Sequence, residues 1–148
     1  MSEGKYVVFK LDSDCYGLPI ERVERILPEQ PLTDVPRTPT MLLGVFDLRG
    51  DRIPTLDMRR RLEMPSSPDA SEFVVVMTDA GRCALRVDHV DGILVLTDDD
   101  IEADSAAFLG PTGGFVAGMG WSGDHRIVLL DVDTLIPKTL RRAVAQAA

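Results

Sequence analysis

Cysteine is scarce in this chain of 148 residues. Cys15 and Cys83 are the whole complement, and neither belongs to a CxxC motif or a Cys/His cluster, so both read as reduced, partly buried thiols. Histidine is as rare. His89 falls at a strand edge and His125 in the turn Gly123-Asp124-His125-Arg126, with no second histidine at metal-ligand spacing. Spacing alone says nothing of a nucleophile and base that folding brings together. No stretch reaches the roughly 18 to 20 apolar residues of a membrane span, and the opening Met1-Ser2-Glu3-Gly4-Lys5 carries no signal-peptide apolar region. A soluble, cytoplasmic protein is expected. No basic stripe offsets the net charge of −8, so the field of the whole molecule repels phosphate backbones and nucleic acid is excluded as a partner. Asp98-Asp99-Asp100 lacks the alternating donors, central glycine and closing glutamate of a calcium loop, and reads as a helix start. The glycine-rich stretch Gly110 to Gly120 lacks the Lys-Ser/Thr that reaches phosphates, and it precedes a strand where a phosphate cradle must open a helix.

What the chain does contain is alternating, β-branched sequence at 45% hydrophobic composition, enough for one compact unit or two very small barrels sharing a core. Tyr6 to Leu11, the polar Asp12-Ser13-Asp14, then Tyr16 to Ile20 form a hairpin signal. Phe73 to Thr78, Asp79 to Arg82 and Cys83 to Val87 repeat it without gaps at an offset of 67 residues, and Glu21 to Leu27 likewise matches Asp88 to Leu94. Further on, Met41 to Val45 and Arg52 to Met58 resemble Phe115 to Met119 and Arg126 to Val132. The halves are expected over 6–64 and 72–138, joined by an exposed Pro/Ser-rich linker over 65–71. Short helices are expected after Thr97, from Asp57, over Asp131 to Ile136, and in an Ala-rich C-terminal segment over 138–148. Arg59-Arg60-Arg61 and Arg141-Arg142 fall at helix ends and read as a solvated basic face.

The segment Gly44 to Arg59 is the most informative. A strand ends in a turn centred on Arg49-Gly50-Asp51, and the next strand enters a helix that Asp57 can cap. Leu48 and Arg49 are expected to point outward there. An apolar residue beside a guanidinium on a stiff hairpin suits a protein interface, since the stem buries area while the head makes directed hydrogen bonds. A plain exposed turn arginine fits the same residues.

These residues resemble the chemotaxis coupling protein CheW family. Gly44 to Gly50 follows its Gly-Val-x-Asn-Leu-Arg-Gly, and Pro54 to Arg59 follows its Pro-x-x-Asp-Leu-Arg. Val7 to Leu18, Leu85 to Val90 and Ile127 to Ile136 are similar to its opening, central and closing patterns, so the likeness covers about residues 6 to 137. It implies a mainly β chain forming a single CheW-like domain over 1–148. Two SH3-like five-stranded barrels would pack around a shared apolar core, with short helices and a C-terminal helix. It further implies a non-catalytic adaptor, with no cofactor and no metal, that couples chemoreceptor tips to the regulatory domain of a CheA-type histidine kinase. Such a protein would be cytoplasmic and recruited to membrane-associated receptor arrays. Ile20, Val23, Gly44, Leu48, Arg49, Val90 and Ile93 would line or border an apolar groove for the receptor tip. Kinase contacts would come from the barrel ends. Asp47 stands where the family has Asn, Arg25 where it has Glu, and Ala84 where it has Gly. Arg25 and Asp47 are thus candidates for partner specificity, because misplaced charge is how interfaces reject wrong partners. An adaptor or competitor in a non-flagellar, surface-motility pathway is the alternative. A small ligand-binding barrel is a third reading, and it requires polar groups converging in a pocket.

Overall fold

The computed structural model describes residues 3–36, 39–65, 71–102 and 114–137. Of the expected linker, 66–70 lie outside the described residues, as does the expected C-terminal helix over 138–148.

Hairpins form where the alternating runs are broken by polar turns. The first joins β1 (Glu3–Leu11) to β2 (Asp14–Pro19), with Val7 opposite Leu18 and Phe9 opposite Tyr16. A single 3-10 turn, Ile20–Arg22, leads to β3 (Val23–Pro28), and β4 (Leu42–Leu48) then pairs with β5 (Asp51–Asp57). β5 runs into the four-residue helix α1 (Met58–Arg61), whose first turn is capped by Asp57 accepting from the Arg59 amide. In the second half, β6 (Glu72–Thr78) pairs with β7 (Gly81–Val87), and β8 (His89–Thr97) follows. A 3-10 turn over Asp98–Asp100 is held by a capping box between Thr97 and Asp100, as the Thr-Asp-Asp-Asp pattern led one to expect. The chain closes with β9 (Ile101–Glu102), β10 (Val116–Ser122), β11 (His125–Leu130) and α2 (Val132–Leu135), capped by Asp131.

The strands form two sheets whose membership cuts across the sequence halves. One is six-stranded, ordered β8-β1-β2-β11-β10-β9, and the other five-stranded, ordered β3-β6-β7-β5-β4. Each half lends its first hairpin to the other half's sheet, through parallel pairings of β2 with β11 and of β5 with β7. These pairings are duplicates. Leu129 faces Gly17 and Thr55 faces Ala84, while Val7 faces Ile93 and Val74 faces Ile26. Even the bulges recur, at Glu24 and Asp91 and again at Leu43 and Ala117. The internal repeat in the sequence is therefore a pseudo-twofold in space.

Strand alternation gives each sheet two apolar faces. The inner faces of the two units meet in one large cluster that includes Phe9, Leu11, Leu18, Leu56, Met58, Val74, Leu85, Leu130 and Leu135. A second cluster of Phe46, Ile53, Phe73, Val75 and Ala84 fills the five-stranded unit, and a third of Leu96, Ile127 and Leu129 fills the six-stranded one. Cys83 is buried in the shared core, where burial pushes its thiol up to about 12, and Cys15 is half-buried.

One expectation needs correction. Arg59 is not part of a solvated basic face, for it is only 6% exposed. Its Nε donates to Asp88 Oδ1 at 2.7 Å and its Nη2 to Asp12 Oδ1 at 2.6 Å, so the guanidinium crosses from one sheet to the turn of the other. A charge on α1 finds two carboxylates there instead of water, which a reading of local sequence cannot anticipate.

Candidate docking surface

Two crossovers carry the chain between the sheets, and Ile20, Val23 and Val90 stand on or just beyond them. From β2 to β3 the path runs through Ile20–Arg22, and from β7 to β8 it runs through Asp88. Val23 and Val90 stand just beyond these crossovers, half-buried against the shared core, and Ile20 is half-buried in the first. Ile93 sits opposite Val7, on the sheet face that elsewhere makes the core, yet it is 63% exposed. Its pseudo-equivalent Ile26, opposite Val74, is 43% exposed. Sequence reasoning missed Ile26. The 67-residue offset that aligns it with Ile93 was the signal that could have found it.

Each crossover is fastened by a polar clamp. In one, Asp88 accepts from Arg59 and from the Asp12 amide at 2.8 Å, which ties the β1–β2 turn to α1. The hydrogen bonds from Arg59 hold the Asp88 carboxyl below its ordinary range, and the carboxylates raise the Arg59 guanidinium in turn. In the other, Asp133 of α2 accepts from Arg22 and from the Asp79 amide, while Arg22 Nε donates to the Met77 carbonyl at 2.8 Å. The polarity is inverted, since the helix contributes the cation in the first clamp and the carboxylate in the second.

The remaining candidates lie on β3 and on the β4–β5 hairpin. Leu48 opposite Asp51 closes a two-residue turn, Arg49-Gly50, in which both residues have positive φ, 52° and 93°. Contrary to the outward pair expected, Leu48 is half-buried on the Phe46 cluster and only Arg49 is exposed. Alternation is the reason, because Leu48 shares a face with Phe46. Asp47 is exposed opposite Arg52. Gly44 is buried at φ 152°, and a Cβ there would come within 2.5 Å of the Thr33 carbonyl oxygen. Glycine is required because the strap after β3 docks on β4 at this point, Thr33 and Val45 exchanging backbone hydrogen bonds of 2.8 and 2.9 Å. Arg25 follows the β3 bulge opposite Val75, half-buried, with a buried Nε that has no hydrogen-bond partner among the described residues. Thus Ile20, Val23 and Val90 stand on or just beyond the two crossovers, which lie at opposite ends of β1, and Ile93 is further along β8. Gly44, Asp47, Leu48 and Arg49 stand on β4 and its turn, at the opposite edge of the sheet from β3.

Chemically this surface offers apolar area flanked by single charges. His89 Nδ1 lies 3.2 Å from Glu72 Oε1, which also accepts from the Val90 amide, so the carboxylate fastens a strand end. Among the described residues no group of three or more His, Cys, Asp or Glu side chains is placed to hold a metal ion, and no helix is long and apolar enough to cross a membrane.

Comparison with known proteins agrees with this architecture. The family model described as a CheW-like domain matches residues 5–139. The chain is 27% identical over 134 residues to a chemotaxis protein CheW from Klebsiella aerogenes, covering 89% of this chain and 81% of that one. It is 30% identical over 154 residues to protein FrzA of Myxococcus xanthus, covering 97% and 92%. The crystal structure of the scaffolding protein TtCheW from Thermoanaerobacter tengcongensis superposes with a TM-score of 0.83 at 26% identity, over 92% of this chain and 94% of that one. With a family match over nearly its whole length and two SH3-like barrels sharing one core, the chain belongs to the CheW-like domain family.

Proposed function

We propose that this chain holds a chemoreceptor tip and the regulatory domain of a CheA-type histidine kinase in a fixed relation, and catalyses no reaction itself. As a member of its family it is a chemotaxis coupling adaptor. The observation that carries the docking reading is the strip of β8 where Ile93 and Val95, on one face of the sheet, are 63% and 47% exposed. Exposed apolar area of this kind marks a protein contact. A helical receptor tip lays its apolar face across this strip, and Arg49 pairs with a carboxylate or carbonyl at one end. Arg25 and Asp47 select among partners by charge. The kinase domain takes the barrel ends, and the protein works in the cytoplasm at receptor arrays. The likeness to FrzA keeps a second pathway in view, with the same mechanics and different partners.

The test is Arg49→Glu. Its affinity for a receptor-tip fragment falls more than about tenfold, or 1.4 kcal/mol, while the thermal melt stays put. An unchanged affinity removes Arg49 from the surface.

A further inference from the structure

The two barrels share one plan but finish their outer mouths differently. In the five-stranded barrel the chain's own side chains narrow the mouth to a cleft of about 110 Å³ lined by Asp51, Arg52, Ile53 and Arg82. Arg82 lies across it, Nε 3.5 Å from Glu24 Oε1 and Nη1 3.2 Å from Asp51 Oδ2. Leu48 packs inward on the Phe46 cluster, and the Arg25 Nε is buried. The repeat offsets carry Arg82 to Cys15, Arg25 to Gly92 and Leu48 to Ser122, three exchanges of a large side chain for a small one. The same offsets carry Glu24 to Asp91 and Asp51 to His125. The six-stranded barrel is left with a cleft of about 260 Å³, walled by Val8, Leu94 and Ile127, with Cys15, Asp91 and His125 around it. Asp91 keeps the place of the carboxylate that holds Arg82, yet among the described residues it has no ion-pair partner.

We propose that this mouth receives an arginine side chain from a partner protein, its stem against Val8, Leu94 and Ile127 and its guanidinium on Asp91. The molecule itself shows the class of guest, since Arg82 lies across the equivalent mouth one barrel away, between Glu24 and Asp51. Arginine suits the site better than lysine. Its head is planar and weakly hydrated, and its stem buries apolar surface while the head stays at the rim. Lys10 also lines the cleft, so the guest is a lone arginine and not a basic run, which Lys10 would repel. Ile93 of the proposed receptor surface also lines this cleft, so the contact adjoins that surface, but its test requires neither partner to be identified.

The test uses the full chain, ¹⁵N-labelled and titrated with N-acetylarginine amide, with the lysine and norleucine amides as controls. The proposal expects saturable amide shifts in the millimolar range at Cys15, Gly92, Ser122 and His125 for the arginine compound. Asp91→Asn, an exposed substitution that leaves the fold alone, weakens that binding by about tenfold. Cys15→Arg, which installs the arginine of the other barrel, abolishes it. Shifts absent with arginine, equal with norleucine, or unaltered in Asp91→Asn overturn the proposal.

Discussion

At Arg49 the backbone sits where side chains are disfavoured, at φ 52°. The left-handed region costs a residue with a Cβ about 1 kcal/mol, and a turn of this type prefers asparagine or glycine at that place. The molecule itself supplies the comparison, because the equivalent residue of the β10–β11 turn is Gly123 at φ 60°. Keeping arginine where the duplicate keeps glycine points to a use for the side chain beyond the fold. Arg49→Asn accordingly raises stability in urea by about 0.5 to 1 kcal/mol while it weakens binding of a receptor-tip fragment. Equal or lower stability would mean that the turn stores no strain. The sequence made Arg49 legible through its place in a motif, but not its strain, and it misplaced Leu48 because strand alternation counts from a register that only pairing defines. Gly44 was legible as a motif residue, whereas its reason, the close approach of the Thr33 carbonyl, depends on a strap 11 residues upstream folding back.

Among the elements, hairpins and caps were read well, since turn residues and N-caps act over three or four positions. Asp57 and Asp131 cap their helices and Thr97 opens its capping box where the local pattern put them. The clamps were not legible, because Arg59 and Asp12 are 47 residues apart and Arg22 and Asp133 are 111 apart. The Arg59 clamp sets a pH dependence. Arg59 holds the Asp88 carboxyl below its ordinary value of 3.8, so the unfolded chain binds that proton more readily than the folded one. Its stabilisation is therefore complete above that value and fades as pH falls through the lower folded one. Arg59→Met weakens the dependence and, since Asp12 and Asp88 keep contact with water, costs roughly 2 kcal/mol, below the range for a fully buried pair. Urea unfolding of both proteins from neutral pH down to pH 3 checks this. Parallel loss of stability in the two would show that Asp88 gains nothing from Arg59.

For the whole molecule, the repeat was legible as two gapless offsets, and the structure returns it as duplicated pairings and bulges. The exchange of hairpins between sheets was not. It rests on the parallel pairings β2–β11 and β5–β7, which join residues such as Cys15 and Ile127 that no local pattern connects. That exchange ties the two barrels into one unit around a shared core. The central claim is that this unit joins two partners at once. Isothermal calorimetry of the purified chain against a CheA-type regulatory domain, a receptor-tip fragment, and each in the presence of the other tests it most directly. The account predicts micromolar binding of both and a complex that retains all three; mutual exclusion of the two, or binding of neither, would contradict it.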